Sequence, residues 1–143
     1  MKKRIIFPVL ALALLFSLFA CGLGRVRIED YKWKMRYVMH AENEQLIIDA
    51  ASEEDSTHPE AKIIDITLSA KDGKITLLDG TNEKIYEGIY TVKQKTPAGT
   101  DYKITIDGKE GYATVAMTTY ADGTQKPTLP INLGTYSIYF YAE

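Results

Sequence analysis

Residues 31–40 read YKWKMRYVMH. Tyr31, Trp33, Met35, Tyr37 and Met39 fall on one side of this stretch. Lys32, Lys34, Arg36 and His40 fall on the other, together with Val38. A period of two is the signature of a strand with one face in the core and one in water. The stretch therefore predicts a half-buried first strand with Trp33 anchoring the core.

Outward from that strand, four Asp-Gly pairs punctuate the chain: Asp72-Gly73, Asp79-Gly80, Asp107-Gly108 and Asp122-Gly123. Asp-Gly accepts the positive φ angles of tight hairpin turns. Between the pairs lie short runs rich in Ile, Thr, Val and Tyr, which suit a pleated surface. Strands are expected at 31–40, 62–70, 74–78, 84–94, 102–107, 112–119 and 128–141, the last interrupted near Asn132-Leu133-Gly134. Residues 45–50 fit a further strand, although the surrounding AENEQLIIDAASEED could also form a short helix. Every connection is short, so neighbours should pair antiparallel in a meander.

Alternation nominates the inner face: Ile64, Ile66, Leu68, Tyr102, Ile104, Ile106, Val115, Met117, Ile138 and Phe140. In EKIYEGIYTV both sides carry large apolar residues, and the parity stays open. The expected class is all-β: a small antiparallel meander of about eight strands closed, or nearly closed, into a barrel. Closure hides the apolar face and removes the edges. A two-sheet sandwich is the alternative. Side chains this large should fill most of a barrel of eight strands, leaving room for one small ligand at most.

Several stretches give this domain a likeness. The Trp-bearing strand opens it at Tyr31-Lys32-Trp33-Lys34-Met35. Tyr86-Glu87-Gly88-Ile89-Tyr90 lies in its middle, and Thr128-Leu129-Pro130 with Tyr136-Ser137-Ile138-Tyr139-Phe140 closes it. The whole resembles the small lipocalin-like, calycin-type barrels of secreted bacterial lipoproteins. In lipocalins a Gly usually stands two before the Trp, where this chain has Tyr31.

The chain opens MKKRIIFPVLALALLFSLFACG. A basic head, Lys2, Lys3 and Arg4, precedes an apolar run over residues 5–20. As a helix that run would be about 24 Å long, short of the ~30 Å hydrocarbon core. It reads as a secretory signal, not a span. Leu18-Phe19-Ala20-Cys21 resembles the lipobox of bacterial lipoproteins. That resemblance implies a diacylglycerol on the Cys21 sulfur, cleavage before Cys21, and in some members an N-acyl chain on the new N-terminus. Cys21 is the only cysteine, so no intramolecular disulfide competes for it. Two or three acyl chains anchor stably where one does not. The organisation is then a signal peptide over 1–20, a lipidated cysteine and tether over 21–30, and a barrel domain over 31–143. The domain should stand outside the cytoplasm, held to a bacterial cell membrane or outer membrane. Apart from those lipids no cofactor is expected.

The full chain carries a formal charge of −2. Losing Lys2, Lys3 and Arg4 takes three positive charges from it and leaves the mature chain at −5. Such a chain gains no general attraction to phosphate backbones, so nucleic acid is not an expected partner.

Chemistry is thinly marked. His40 and His58 are the only histidines. His58 sits in SEEDSTHPE among Glu53, Glu54, Asp55 and Glu60, a set that could hold a divalent cation but lacks the spacing of a defined calcium loop. No Gly-x-Ser-x-Gly, phosphate-binding glycine loop or His-Glu-x-x-His occurs. No residue is assigned a catalytic role and no metal site is assigned. Tyr139 and Tyr141 fall opposite Ile138 and Phe140 and should face outward. With the His58 loop they are the candidate binding residues, for a small ligand, a glycan or an envelope protein. The expected function is a lipid-anchored, non-catalytic binding module. An envelope enzyme or metal-dependent protein centred on the His58 loop is the alternative.

Overall fold

Nine strands follow a single short 3-10 turn, Ile28–Asp30, in the computed structural model, which describes residues 26–50 and 64–143. The strands are β1 (Trp33–His40), β2 (Leu46–Asp49), β3 (Ile66–Lys71), β4 (Lys74–Asp79), β5 (Lys84–Lys95), β6 (Gly99–Ile106), β7 (Lys109–Thr119), β8 (Gln125–Leu133) and β9 (Tyr136–Ala142). All pairings are antiparallel, and β9 returns to pair along the whole of β1. Strands β1 and β3 to β9 thus close an eight-stranded barrel of lipocalin-like architecture, and β2 is an extra strand outside the circuit. The sandwich alternative is excluded by the β1–β9 closure.

The hairpins follow the turn chemistry. Asp72 and Gly73, and likewise Asp107 and Gly108, both take positive φ, as a two-residue type I′ turn requires. Asp79-Gly80 behaves differently: neither residue has positive φ, and Asp79 ends β4. The Asp79 carboxylate accepts hydrogen bonds from the backbone of Thr81 and Asn82 and from the Asn82 amide, so it folds the loop after it.

Buried inside the barrel are Trp33, Met35, Leu68, Ile75, Tyr102, Ile104, Ile106, Val115, Leu129, Ile131 and Phe140. The alternation of β1 holds through Met35 and then slips. Met35 pairs with Phe140 and Tyr37 with Tyr139, so Arg36 is an extra residue opposite β9. A bulge of this kind reverses the facing of everything after it. Val38, expected outside, is buried. Tyr37 and Met39, expected inside, are only half-buried, and Tyr31 lies exposed before the strand begins. Met117, expected inside, is 43% exposed. Strand β6 stops pairing with β7 at Ala116, so the β7–β8 hairpin runs on as a two-stranded ribbon with no opposite wall to cover Met117.

In β5 the parity resolves: Tyr86 and Tyr90 face inward, while Ile85 and Ile89 are exposed. Between them Gly88 lets β5 bend from β4 onto β6. A Cβ there would lie 2.2 Å from the Thr105 carbonyl oxygen, so no other residue fits without backbone movement.

Residues before the first strand also pack on the core. Ile28, expected in the tether, is fully buried and stoppers one end of the barrel. The Trp33 indole Nε1 donates to the Ile28 carbonyl at 2.8 Å, and the Ile28 N–H donates to the Tyr102 hydroxyl at 3.2 Å. The Tyr90 hydroxyl donates to the Glu29 carboxylate. Val26 packs against the same core.

The opposite end is built differently. Strand β3 pairs with β1 only at Trp33 and Lys34. Further along, β2 takes over the same edge, from Tyr37 opposite Asp49 to Met39 opposite Leu46. The helix alternative for this segment is thereby replaced by a short strand. Leu46 and Ile47 remain about half exposed.

Candidate functional site

The tyrosines expected to face outward do so, and they have company. Strand β9 sets Tyr139 and Tyr141 on its outer face, because Phe140 between them is buried. The β1 bulge turns Tyr37 onto the same face, where its ring stacks on Tyr139 with centroids 4.4 Å apart and planes 22° apart. Tyr141 lies 6.5 Å from Tyr37 on one side and 6.3 Å from Tyr120 on the other. Tyr120 comes from the projecting β7–β8 hairpin. Its backbone N–H donates to the Thr124 carbonyl, closing a turn whose Gly123 has positive φ.

A cleft of about 510 Å³ opens beside these rings, walled by Lys34, Arg36 and Lys126 as well as Tyr37, Tyr120 and Tyr141. Glu143 also borders it, but its carboxylate is held by Lys32 at 3.2 Å. No described carboxylate comes within salt-bridge distance of Lys34, Arg36 or Lys126, although the Asp122 carboxylate on the same hairpin feels the Lys126 charge. Burial raises the pKa of Tyr37, Tyr120 and Tyr141 above the ordinary tyrosine value, and contact with the Tyr141 hydroxyl adds to the rise at Tyr120. The hydroxyls are therefore neutral at physiological pH, and the cations set the sign of the cleft. It is a positive, aromatic-walled surface on an acidic chain. Chemically it can hold an anionic group against flat, amphipathic rings.

A second concavity of about 370 Å³ lies at the end of the barrel away from Ile28. Val38, Ile47, Ile48, Leu133 and Ile138 make it apolar, with Tyr136 and Lys109 at its border.

Sequence reasoning found Tyr139 and Tyr141 through their alternation with Phe140. It missed Tyr37, because the bulge leaves no local mark, and Tyr120, because a turn residue has no alternation to read. Cys21 and His58 lie outside the described residues. His40, at the end of β1, is partly buried. Its ring meets the Tyr136 ring edge-on at 6.4 Å, and its Nδ1 accepts from the Glu42 N–H at 3.4 Å. Among the described residues no group of three His, Cys, Asp or Glu side chains is placed to hold a metal ion.

No protein-family model, no curated protein and no solved structure matches the chain. What fold and site define is a class: a closed, antiparallel eight-stranded barrel of lipocalin-like architecture, stoppered at one end, with an aromatic and cationic cleft on its outer wall.

Proposed function

We propose that this protein is a lipid-anchored lipoprotein of the bacterial cell envelope whose barrel is a non-catalytic binding module. The observation that carries the reading is the cleft. Three cations with no described carboxylate in salt-bridge distance and a cluster of tyrosines share an open outer wall, while the interior is taken up by Trp33, Met35, Tyr102, Phe140 and their aliphatic neighbours. Such a barrel recognises a partner from outside. The lipobox-like Leu18-Phe19-Ala20-Cys21, closing a signal-like segment, supports the anchor.

The anchor is tested by growing cells with a labelled palmitate analogue. The parent should take up label and fractionate with membranes, and Cys21→Ser should do neither. Label on the Ser variant, or membrane retention equal to the parent, would rule out acylation at Cys21.

A further inference from the structure

The position of the cleft, together with the anchor, identifies its occupant. We propose that the tyrosine–cation cleft seats on the anionic phospholipid headgroups of the anchoring bilayer. This rests on the lipid-anchor reading above.

The described chain begins at Val26, beside the stopper residue Ile28. Five residue steps separate Cys21 from Val26. At 3.3–3.6 Å per residue they span at most about 18 Å, whatever course they take. The lipid must therefore lie close to the stoppered end.

The cleft lies at that same end. Trp33 at the start of β1 pairs with Ala142 at the end of β9, and in an up-and-down meander the β7–β8 hairpin turns there too. Lys34, Arg36, Tyr120, Lys126 and Tyr141 thus come from the strand ends nearest the anchor. Tyrosine favours the headgroup layer, where an apolar ring and a polar tip are both satisfied, and lysine and arginine there meet lipid phosphates.

Charge is distributed along the barrel in the sense this seating requires. At the stoppered end Arg27, Lys32, Lys71, Lys74, Lys95 and Lys126 offset Glu29, Asp30, Asp72, Asp122 and Glu143. At the far rim Glu42, Glu44, Asp65, Asp79, Glu83, Asp107 and Glu110 outweigh Lys84 and Lys109. An anionic surface repels the far rim and accepts the stoppered one. Strands of about eight residues, tilted as in a barrel, put the far rim roughly 20 Å further out, beyond the ~8 Å Debye length. The apolar mouth is then presented away from the membrane.

The Cys21 sulfur, tied up in its thioether to diacylglycerol, leaves no free thiol, so one introduced cysteine labels one site. Full-length lipidated protein carrying a dye on Asp122→Cys, at the β7–β8 tip, or on Glu83→Cys, at the far rim, is reconstituted in vesicles with a headgroup-attached quencher. The vesicles are phosphatidylcholine alone, or phosphatidylcholine with added phosphatidylglycerol. With phosphatidylglycerol, the dye at 122 should be quenched several-fold more than the dye at 83. The contrast should shrink in phosphatidylcholine alone, and in the Arg36→Gln, Lys126→Gln protein. Equal quenching at both sites, stronger quenching at 83, or a contrast indifferent to phosphatidylglycerol in fully acylated protein would overturn the seating while leaving the anchor intact. Mass spectra showing no acyl chain would overturn the anchor reading, and the seating with it.

Discussion

The two ends of the barrel are built from opposite materials. At one, Ile28 has no exposed surface and its backbone N–H and C=O are both spoken for, by Tyr102 and Trp33. At the other, Val38 is the one buried residue among the side chains around the mouth, and Ile47, Ile48, Leu133 and Ile138 stay partly or largely exposed. The first end is closed by a short segment that precedes the sheet. No described segment closes the second, where β3 departs from β1 and the short strand β2 replaces it. Stability should therefore be concentrated at the end closed by Ile28, and adaptability at the end around Val38.

The largest expected effect is at Trp33. Trp33→Ala removes the biggest buried side chain and leaves the Ile28 carbonyl without its donor, at a cost of about 3–5 kcal/mol. Urea unfolding monitored by far-ultraviolet circular dichroism measures it. A loss below about 1 kcal/mol would place Trp33 outside the core and dissolve the contrast.

Paired truncations sharpen it. Ile28→Ala should cost about 2–5 kcal/mol, as fully buried isoleucines do. Ile48→Ala, at the half-open mouth, should cost about 1 kcal/mol or less. Equal losses would mean that both ends are closed alike.

A smaller effect is visible only in alkali. Burial, reinforced by its hydrogen bond to Glu29, pushes the Tyr90 pKa up to about 12. The folded pKa lies above the unfolded value of ~10, so the neutral hydroxyl's contribution is fully present below pH ~10. It is lost as the pH climbs from there toward 12. The urea midpoint should fall across that window in the parent and fall less in Tyr90→Phe. Identical profiles would show that the Tyr90–Glu29 contact does not hold the stopper.

Much of the fold was legible because its signals are local. The alternation from Trp33 to Met35 and the positive φ angles of Asp72-Gly73 and Asp107-Gly108 need only neighbouring residues. What escaped depends on distant partners. The extra residue at Arg36 is defined by register with β9, some hundred positions later in the chain, and it alone moves Tyr37 from the core to the outer cluster. Ile28 looked like tether because a single apolar residue among charges has no period, and its burial depends on Trp33 and Tyr102. Half of the tyrosine cluster was readable for the same reason: Tyr139 and Tyr141 follow from Phe140, whereas Tyr37 and Tyr120 follow from a bulge and a projecting hairpin.

The proposed seating turns one end of this barrel to the bilayer and the other away from it. Hydrogen–deuterium exchange of the acylated protein, in detergent and then on vesicles containing phosphatidylglycerol, tests it most directly. The account predicts slower exchange on vesicles in residues 26–30 and 119–126, with the far turns at 41–45 and 107–108 unchanged. Protection of the far turns instead, or no difference between the two ends, would contradict it.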